Sequence, residues 1–204
     1  MRVILSTVSK GAHGSSLPST SLEFVSGAVT LARAETERRP TVLGLIASGR
    51  MRADTGTVTI DGTANYSALR RRIALVDAPG VCEPADDVTV AQVVAEELMF
   101  AGLWGTRSRV GALLDSLDLS GDGNSAMADL APIRRIRLLT ELAVIRTGVD
   151  ALVVCSPDRH GGEPLEWWPL LESLAARGYA VLAIAGDASA HAIGSILRDE
   201  AVAR

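Results

Sequence analysis

Lysine is almost missing from this chain of 204 residues: Lys10 stands alone, and the other basic residues are arginine. Such an arginine-rich, lysine-poor composition is the one expected of a GC-rich bacterial source. Aromatic side chains are scarce too, at 3% of residues, which speaks against a stacking platform for single-stranded nucleic acid. The formal net charge of −4 agrees, because a nucleic-acid binder ordinarily carries a basic footprint. Cys82 and Cys155 are too few and too far apart for the disulfide framework of a small secreted domain, and a reducing cytosol suits them. His13, His160 and His191 lack metal-ligand spacing, and neither CxxC nor HExxH occurs, so no metal site is expected. The opening run Met1 to Leu5 ends at Ser6, well short of the ~7–15 apolar residues of a secretory leader. No run approaches the ~20 apolar residues of a membrane span, so a membrane connection is expected to go through a partner and not by direct insertion.

What is present is aliphatic, and the chain is long enough for one domain, 1–204, with a substantial core. Short β-branched runs at Val3 to Val8, Ala28 to Arg33, Thr57 to Asp61, Ile73 to Val76, Asp150 to Cys155 and Tyr179 to Ala185 predict strands. Apolar residues at three- and four-residue spacing predict helices over Val90 to Gly102, Ile133 to Thr147 and Leu165 to Arg177. Strands alternating with helices predict an α/β domain with a mainly parallel sheet. The runs Ala151 to Val154 and Ala180 to Ile184 are apolar without alternation, as central strands buried on both faces would be. Gly11 to Ser21 and Ser120 to Asp129 read as loops. The stretch Asp86 to Thr140 holds no convincing strand and reads as a helical subdomain.

The segment Thr55-Gly56-Thr57-Val58-Thr59-Ile60-Asp61-Gly62 carries a resemblance to a known family. It is similar to the turn and strand that follow the first helix of ATP-binding-cassette (ABC) ATPases. Reading backwards, Gly27 to Leu31 resembles the strand entering the phosphate loop, and Thr41 to Gly49 the helix leaving it. The other stations follow in family order: Leu75 to Ala78 at the glutamine loop, Leu130 to Arg137 at the signature, Asp150 to Pro157 at the Walker B strand, and Val181 to Asp187 at the switch strand. The resemblance spans roughly Val3 to Asp187 and implies a P-loop NTPase-like fold of the ABC ATPase type.

Its chemistry is missing at each station. A working phosphate loop reads G-x-x-x-x-G-K-[ST], so that backbone N–H groups and a lysine reach the phosphates. Here Ala34-Glu35-Thr36-Glu37-Arg38-Arg39-Pro40-Thr41 keeps only the final Thr41. Proline has no N–H, and the glutamates bring negative charge toward an anion. Ala78 stands in place of the glutamine, and Pro132 and Ile133 in place of the signature glycines. Cys155 and Ser156 replace the Walker B Asp and Glu, Gly162 the D-loop aspartate, and Gly186 the switch histidine. Phosphoryl transfer depends on positioned phosphates, metal and nucleophile, so no catalytic residue, ATP or Mg²⁺ is expected. Arg38, Arg39 and Thr41 are the vestigial phosphate-loop positions.

Several residues carry a sharp and a bland reading. Arg38 and Arg39 either hold an anion near a helix start or form a solvated pair balancing Glu35 and Glu37. Arg70 to Arg72 read as a solvated edge. Arg134, Arg135 and Arg137 oppose the dipole of the helix they start unless acidic partners compensate, which hints at an interface. Cys155-Ser156-Pro157, with Asp158 and His160 nearby, lacks the G-x-S-x-G of a nucleophile elbow and reads as an inert strand end. Trp104 and the pair Trp167-Trp168 are candidate core or interface anchors, and both rings of the pair need not face the core.

The leading expectation is a non-catalytic cassette-like protein, an accessory or structural subunit docking on a membrane permease or related membrane protein. A protein dimer is a further expectation, and the place is the cytoplasm, at the inner face of the membrane through that partner. A genuine ATP-binding subunit with divergent motifs and a soluble regulatory protein-binding module are the alternatives. By the resemblance, the groove beside Ala78 is where a permease helix docks, and Val81, Leu98, Met99, Leu103 and Trp104 are expected to line it. The competing reading places these five in the helical region's own core.

Overall fold

The computed structural model describes residues 1–35 and 38–202, and the side chains of 196–202 are outside the description. Among the described residues, seven strands form two sheets. β1 (Arg2–Lys10), β2 (Leu17–Val25) and β4 (Thr55–Ile60) make an antiparallel sheet in the order β2-β1-β4. β3 (Val29–Arg33), β5 (Ile73–Val76), β6 (Ala151–Cys155) and β7 (Ala180–Ala185) make a parallel sheet in the order β3-β7-β6-β5.

Every residue of β6 and β7 is buried, which is why their sequences are apolar without alternation. The two-residue period of a strand still sorts their side chains. Ala151, Val153 and Cys155, with Ala180, Leu182 and Ile184, face a core shared with the antiparallel sheet. Leu152 and Val154, with Val181, Ala183 and Ala185, face the opposite core, built from the helices after β5. Helix α1 (Arg39–Ala47) lies in the first core, where Leu43 and Ile46 are fully buried, each a gain of about 1.5–3 kcal/mol. Its Gly44 is required by closeness: a Cβ there would come within 2.5 Å of Cys155 Sγ.

Helix α2 (Tyr66–Arg72) is capped by Asn65, whose side chain accepts from Ala68 N–H at 2.9 Å. Helix α3 (Val90–Phe100) starts with a capping box in which Thr89 and Gln92 satisfy each other's backbone N–H groups. Thr106 caps α4 (Arg107–Ser116). Helix α5 (Pro132–Ile145) begins on a proline, which tolerates the first turn because no N–H is needed there. Helices α6 (Pro164–Ala176) and α7 (Asp187–Val202) complete the order. Between β5 and α5 the described residues contain no strand, only an isolated bridge from Thr89 to Ala126. The apolar side chains of this helical stretch, among them Val94, Leu114 and Met127, enter the same core as Val76 and Val154 of the sheet.

The expected α/β fold with parallel sheet and helices is present, and all six strands read from the sequence occur. The seventh corrects the reading of Gly11 to Ser21 as a loop: β2 begins at Leu17 inside it. β2 is an edge strand, so Pro18 need not donate to a neighbour, and only Leu17 and Phe24 are buried along its length. Within Ser120 to Asp129 lie two short 3₁₀ turns, the second of which buries Met127. Trp167 and Trp168 are both buried, so neither is exposed; their rings meet edge to face at 6.3 Å. The helix lies deep enough between α5, α7 and the sheet for adjacent positions to be covered.

Candidate functional site

The loop after β3 leads into α1 beside the start of α7. Ala34 N–H donates to Ala185 O at 3.0 Å, tying the loop to the end of β7. Glu35 then turns its carboxylate to α7, where Oε1 accepts from Asp187 N–H at 3.0 Å. From the other side, Asp158 Oδ2 accepts from Gly186 N–H at 3.0 Å and from Ser189 Oγ at 2.7 Å. A Cβ built on Gly186 would lie 3.4 Å from both carboxylates, so the two converge on that residue. Two N–H groups at the head of α7, those of Gly186 and Asp187, are thus already held by the chain's own anions.

Neighbouring positions are committed as well. Thr41 is buried and its Oγ1 donates to Pro79 O at 3.4 Å. Cys155 Sγ lies under Pro40, 3.7 Å from its carbonyl oxygen, and burial pushes the thiol far above its ordinary value. Arg38 is exposed and Arg39 half-buried, with Arg39 Nε lacking a hydrogen-bond partner. Glu35 bonds to α7 through Oε1, and Glu37 lies outside the described residues. Gly162, with φ of 86°, sits against Pro132, whose Cβ would be 3.1 Å from an added Cβ. Ala78 is fully buried.

A second cluster lies just past β5. Asp77 is buried with φ of 53°, and its carboxylate accepts from Arg135 Nη2 and Nε at 2.8 and 3.1 Å and from Arg159 Nη2 at 2.9 Å. The same Arg159 nitrogen lies 2.9 Å from Glu83. His160 Nε2 accepts from Arg159 Nε at 2.7 Å, which needs an unprotonated ring nitrogen. Burial, then the charges of Arg135 and Arg159, hold His160 below the usual histidine range. The acidic partners that the arginine triplet calls for lie within the chain: Arg134 pairs with Asp122, Arg135 with Asp77 and Arg137 with Asp118. Arg70 and Arg71 are exposed, as a solvated edge would be, while Arg72 bridges Asp61 and Asp150 and Arg70 also donates to Gly49 O. Among the described residues, no group of three or more His, Cys, Asp and Glu is placed to hold a metal ion.

Beside this cluster runs a groove of ≈ 410 Å³ between β5, α3 and α5, lined by Val81, Phe100, Leu139, Leu142, Arg50, Cys82, Glu97 and Arg146 among others. Of the five residues expected there, Val81 lines it, at 50% exposure. Met99, Leu103 and Trp104 are exposed on the end of α3 and the turn after it. Leu98 is the correction: it is buried at 2%, because positions 90, 94 and 98 share one helix face and that face meets the core. Phe100, 68% exposed, belongs to the rim and was missed. Three consecutive apolar residues, Leu98 to Phe100, are its signal, since successive helix positions turn by about 100° and cannot all face inward.

No protein-family model and no curated protein matches the sequence. Solved structures do match. A putative ABC transporter ATP-binding protein from Pyrococcus furiosus is 13% identical over 92% of each chain, with a TM-score of 0.66. A nucleotide-free ATP-binding cassette from an ABC transporter is 19% identical over 92% of this chain and 82% of its own, with a TM-score of 0.65. An ATP-binding subunit of an ABC transporter is 16% identical over 92% and 80%, at 0.62. The chain has the fold of these cassettes.

Proposed function

We propose that this chain, built on the fold of ATP-binding cassettes, is a non-catalytic docking subunit that attaches to a membrane protein and does not use ATP. One observation carries the reading. The carboxylates of Glu35 and Asp158 accept the N–H groups of Asp187 and Gly186 and so bring two negative charges to the strand end beside the vestigial phosphate loop. A triphosphate entering there would displace two bonded anions and meet their charge, with no lysine to offset it. Thr41 spends its hydroxyl on Pro79, and buried Cys155 offers no carboxylate for magnesium, so the residues present do not fit a magnesium nucleotide. The cytoplasmic side of a membrane is the proposed location, reached through the partner; among the described residues no helix is long and apolar enough to cross a membrane.

Titration calorimetry of the full chain with ATP and millimolar magnesium tests the first half. No saturable heat below millimolar ATP is expected, and no hydrolysis above background. Micromolar affinity that disappears in Arg39→Ala would overturn the reading and favour an arginine-held nucleotide. Glu35→Lys is expected to remain a non-hydrolase, because magnesium and water would still lack their carboxylates.

A further inference from the structure

The turn that joins α3 to α4 is tied down along its backbone. Gly102 N–H donates to Met99 O at 2.9 Å and Leu103 N–H to Leu98 O at 2.8 Å, the paired bonds of a Schellman motif. Gly102, with φ of 77°, supplies the left-handed conformation that this motif requires. Gly105 lies so close to α3 that a Cβ there would come within 2.7 Å of Ala95 O. Thr106 then caps α4, and Arg109 Nη1 donates back to Trp104 O at 3.1 Å. A turn held at this many points has little freedom left to lose when something covers it.

The side chains of this turn are not used inside the chain. Met99, Phe100, Leu103 and Trp104 are 61%, 68%, 40% and 82% exposed. Neighbours exposed to this degree form a protrusion, whereas a protein hot spot is ordinarily enclosed in a pocket. Directly after it come Arg107 and Arg109, both exposed and in no ion pair among the described residues. Most carboxylates of the stretch lie elsewhere. Asp86 and Asp87 precede α3, and Asp115 and Asp118 close α4, so each pair stands about 15 Å away, a helix length. Glu97 lines the groove with Arg50 and Arg146, which leaves Glu96 as the exposed acid near the turn. Arginine therefore outweighs acid beside the apolar tip.

We propose that the α3–α4 turn contacts an anionic bilayer surface directly, with Phe100 and Trp104 entering the headgroup layer and Arg107 and Arg109 pairing with lipid phosphates. This goes beyond docking on a membrane protein, because the contact needs no protein partner. Tryptophan settles at the headgroup level, where its ring is covered and its N–H stays wet. Arginines beside it gain from the negative potential of the lipid surface. An acidic peptide or a nucleic acid would use the arginines and leave the apolar tip bare. A bilayer covers both.

Sedimentation of the full chain with vesicles of mixed phosphatidylcholine and phosphatidylglycerol tests this, alongside tryptophan fluorescence. Trp167 and Trp168 are buried, so Trp104 is the tryptophan placed to report. Its emission is expected to shift to the blue and to be quenched by brominated lipid, and binding should weaken as salt is added. Arg107→Gln should weaken binding about fivefold, while Arg107→Lys keeps it nearly unchanged. Phe100→Asp and Trp104→Ala should each weaken it about tenfold or more. Circular dichroism melts identify any variant that fails to fold, and quenching of Trp104 in the unaltered protein supplies the same test without a substitution. No binding to anionic vesicles, or binding without quenching, would overturn the contact. Equal binding to pure phosphatidylcholine, indifferent to Arg107→Gln, would overturn the role of the arginines. A chain that binds native membranes but not vesicles of their extracted lipid would overturn the lipid contact and leave docking on a membrane protein standing. Equal binding to both would support the lipid contact and count against the protein partner.

Discussion

The imidazole of His160 has one nitrogen committed to Arg159 and two guanidiniums close by, and its protonation state follows from that company. Protonation would turn the accepting Nε2 into a donor facing Arg159 and add a third cation around Asp77. The folded-state value lies below the unfolded one, so below pH ~6.5 the unfolded chain binds the proton first. Stability is therefore fully present above about that pH and falls as the medium becomes more acid. His160→Asn should show a shallower decline in thermal midpoint than the unaltered protein between about pH 7 and pH 5. Parallel curves would mean that His160 titrates as it does in the unfolded chain. None of this was legible beforehand. His160 was visible as a polar residue after a strand end, but its partners lie 25 and 83 positions away at Arg135 and Asp77.

At the scale of elements, the Asp77 cluster joins the end of β5 to the first turn of α5 and to the loop after β6. It fixes one wall of the groove against the sheet through a carboxylate that is itself nearly inaccessible. Asp77→Asn keeps the shape and tolerates the positive φ, yet leaves Arg135 buried without its counter-charge. A loss of about 3–5 kcal/mol in denaturant unfolding is expected. Adding Arg135→Met should recover a substantial part, since Arg159 keeps Glu83 as its partner. Additive losses in the double variant would show that the pair contributes nothing as a pair. The sequence announced the helix but not the cluster, because an arginine near a helix start reads as a dipole conflict until its partners are known. β2 was hidden for a related reason: its Ser, Thr and Pro are edge-strand residues, and an edge can only be recognised once the sheet has an order.

For the whole molecule, the contrast is between a site closed by its own charges and an apolar surface left open. Trp104 has few internal contacts to lose, so Trp104→Ala should change folding stability by no more than ~0.5 kcal/mol. In the cells of origin the same change should lower the fraction recovered with membranes, measured by fractionation against the unaltered protein. Undiminished recovery, with folding intact, would remove Trp104 from the docking surface. The sequence by itself determined the α/β plan with its doubly buried central strands, since unalternating apolar runs fit strands covered on both faces, and the absence of a loop lysine needs no coordinates to be known. Only the tertiary structure decided what occupies the ground left by that absence. Glu35, Asp158 and Gly186 are 123 and 28 positions apart along the chain and meet because β3, β6 and β7 end at the same edge of the parallel sheet. The same holds for the groove: period and polarity sort inward from outward residues along one helix, but which outward residues share a surface depends on how helices and sheet pack.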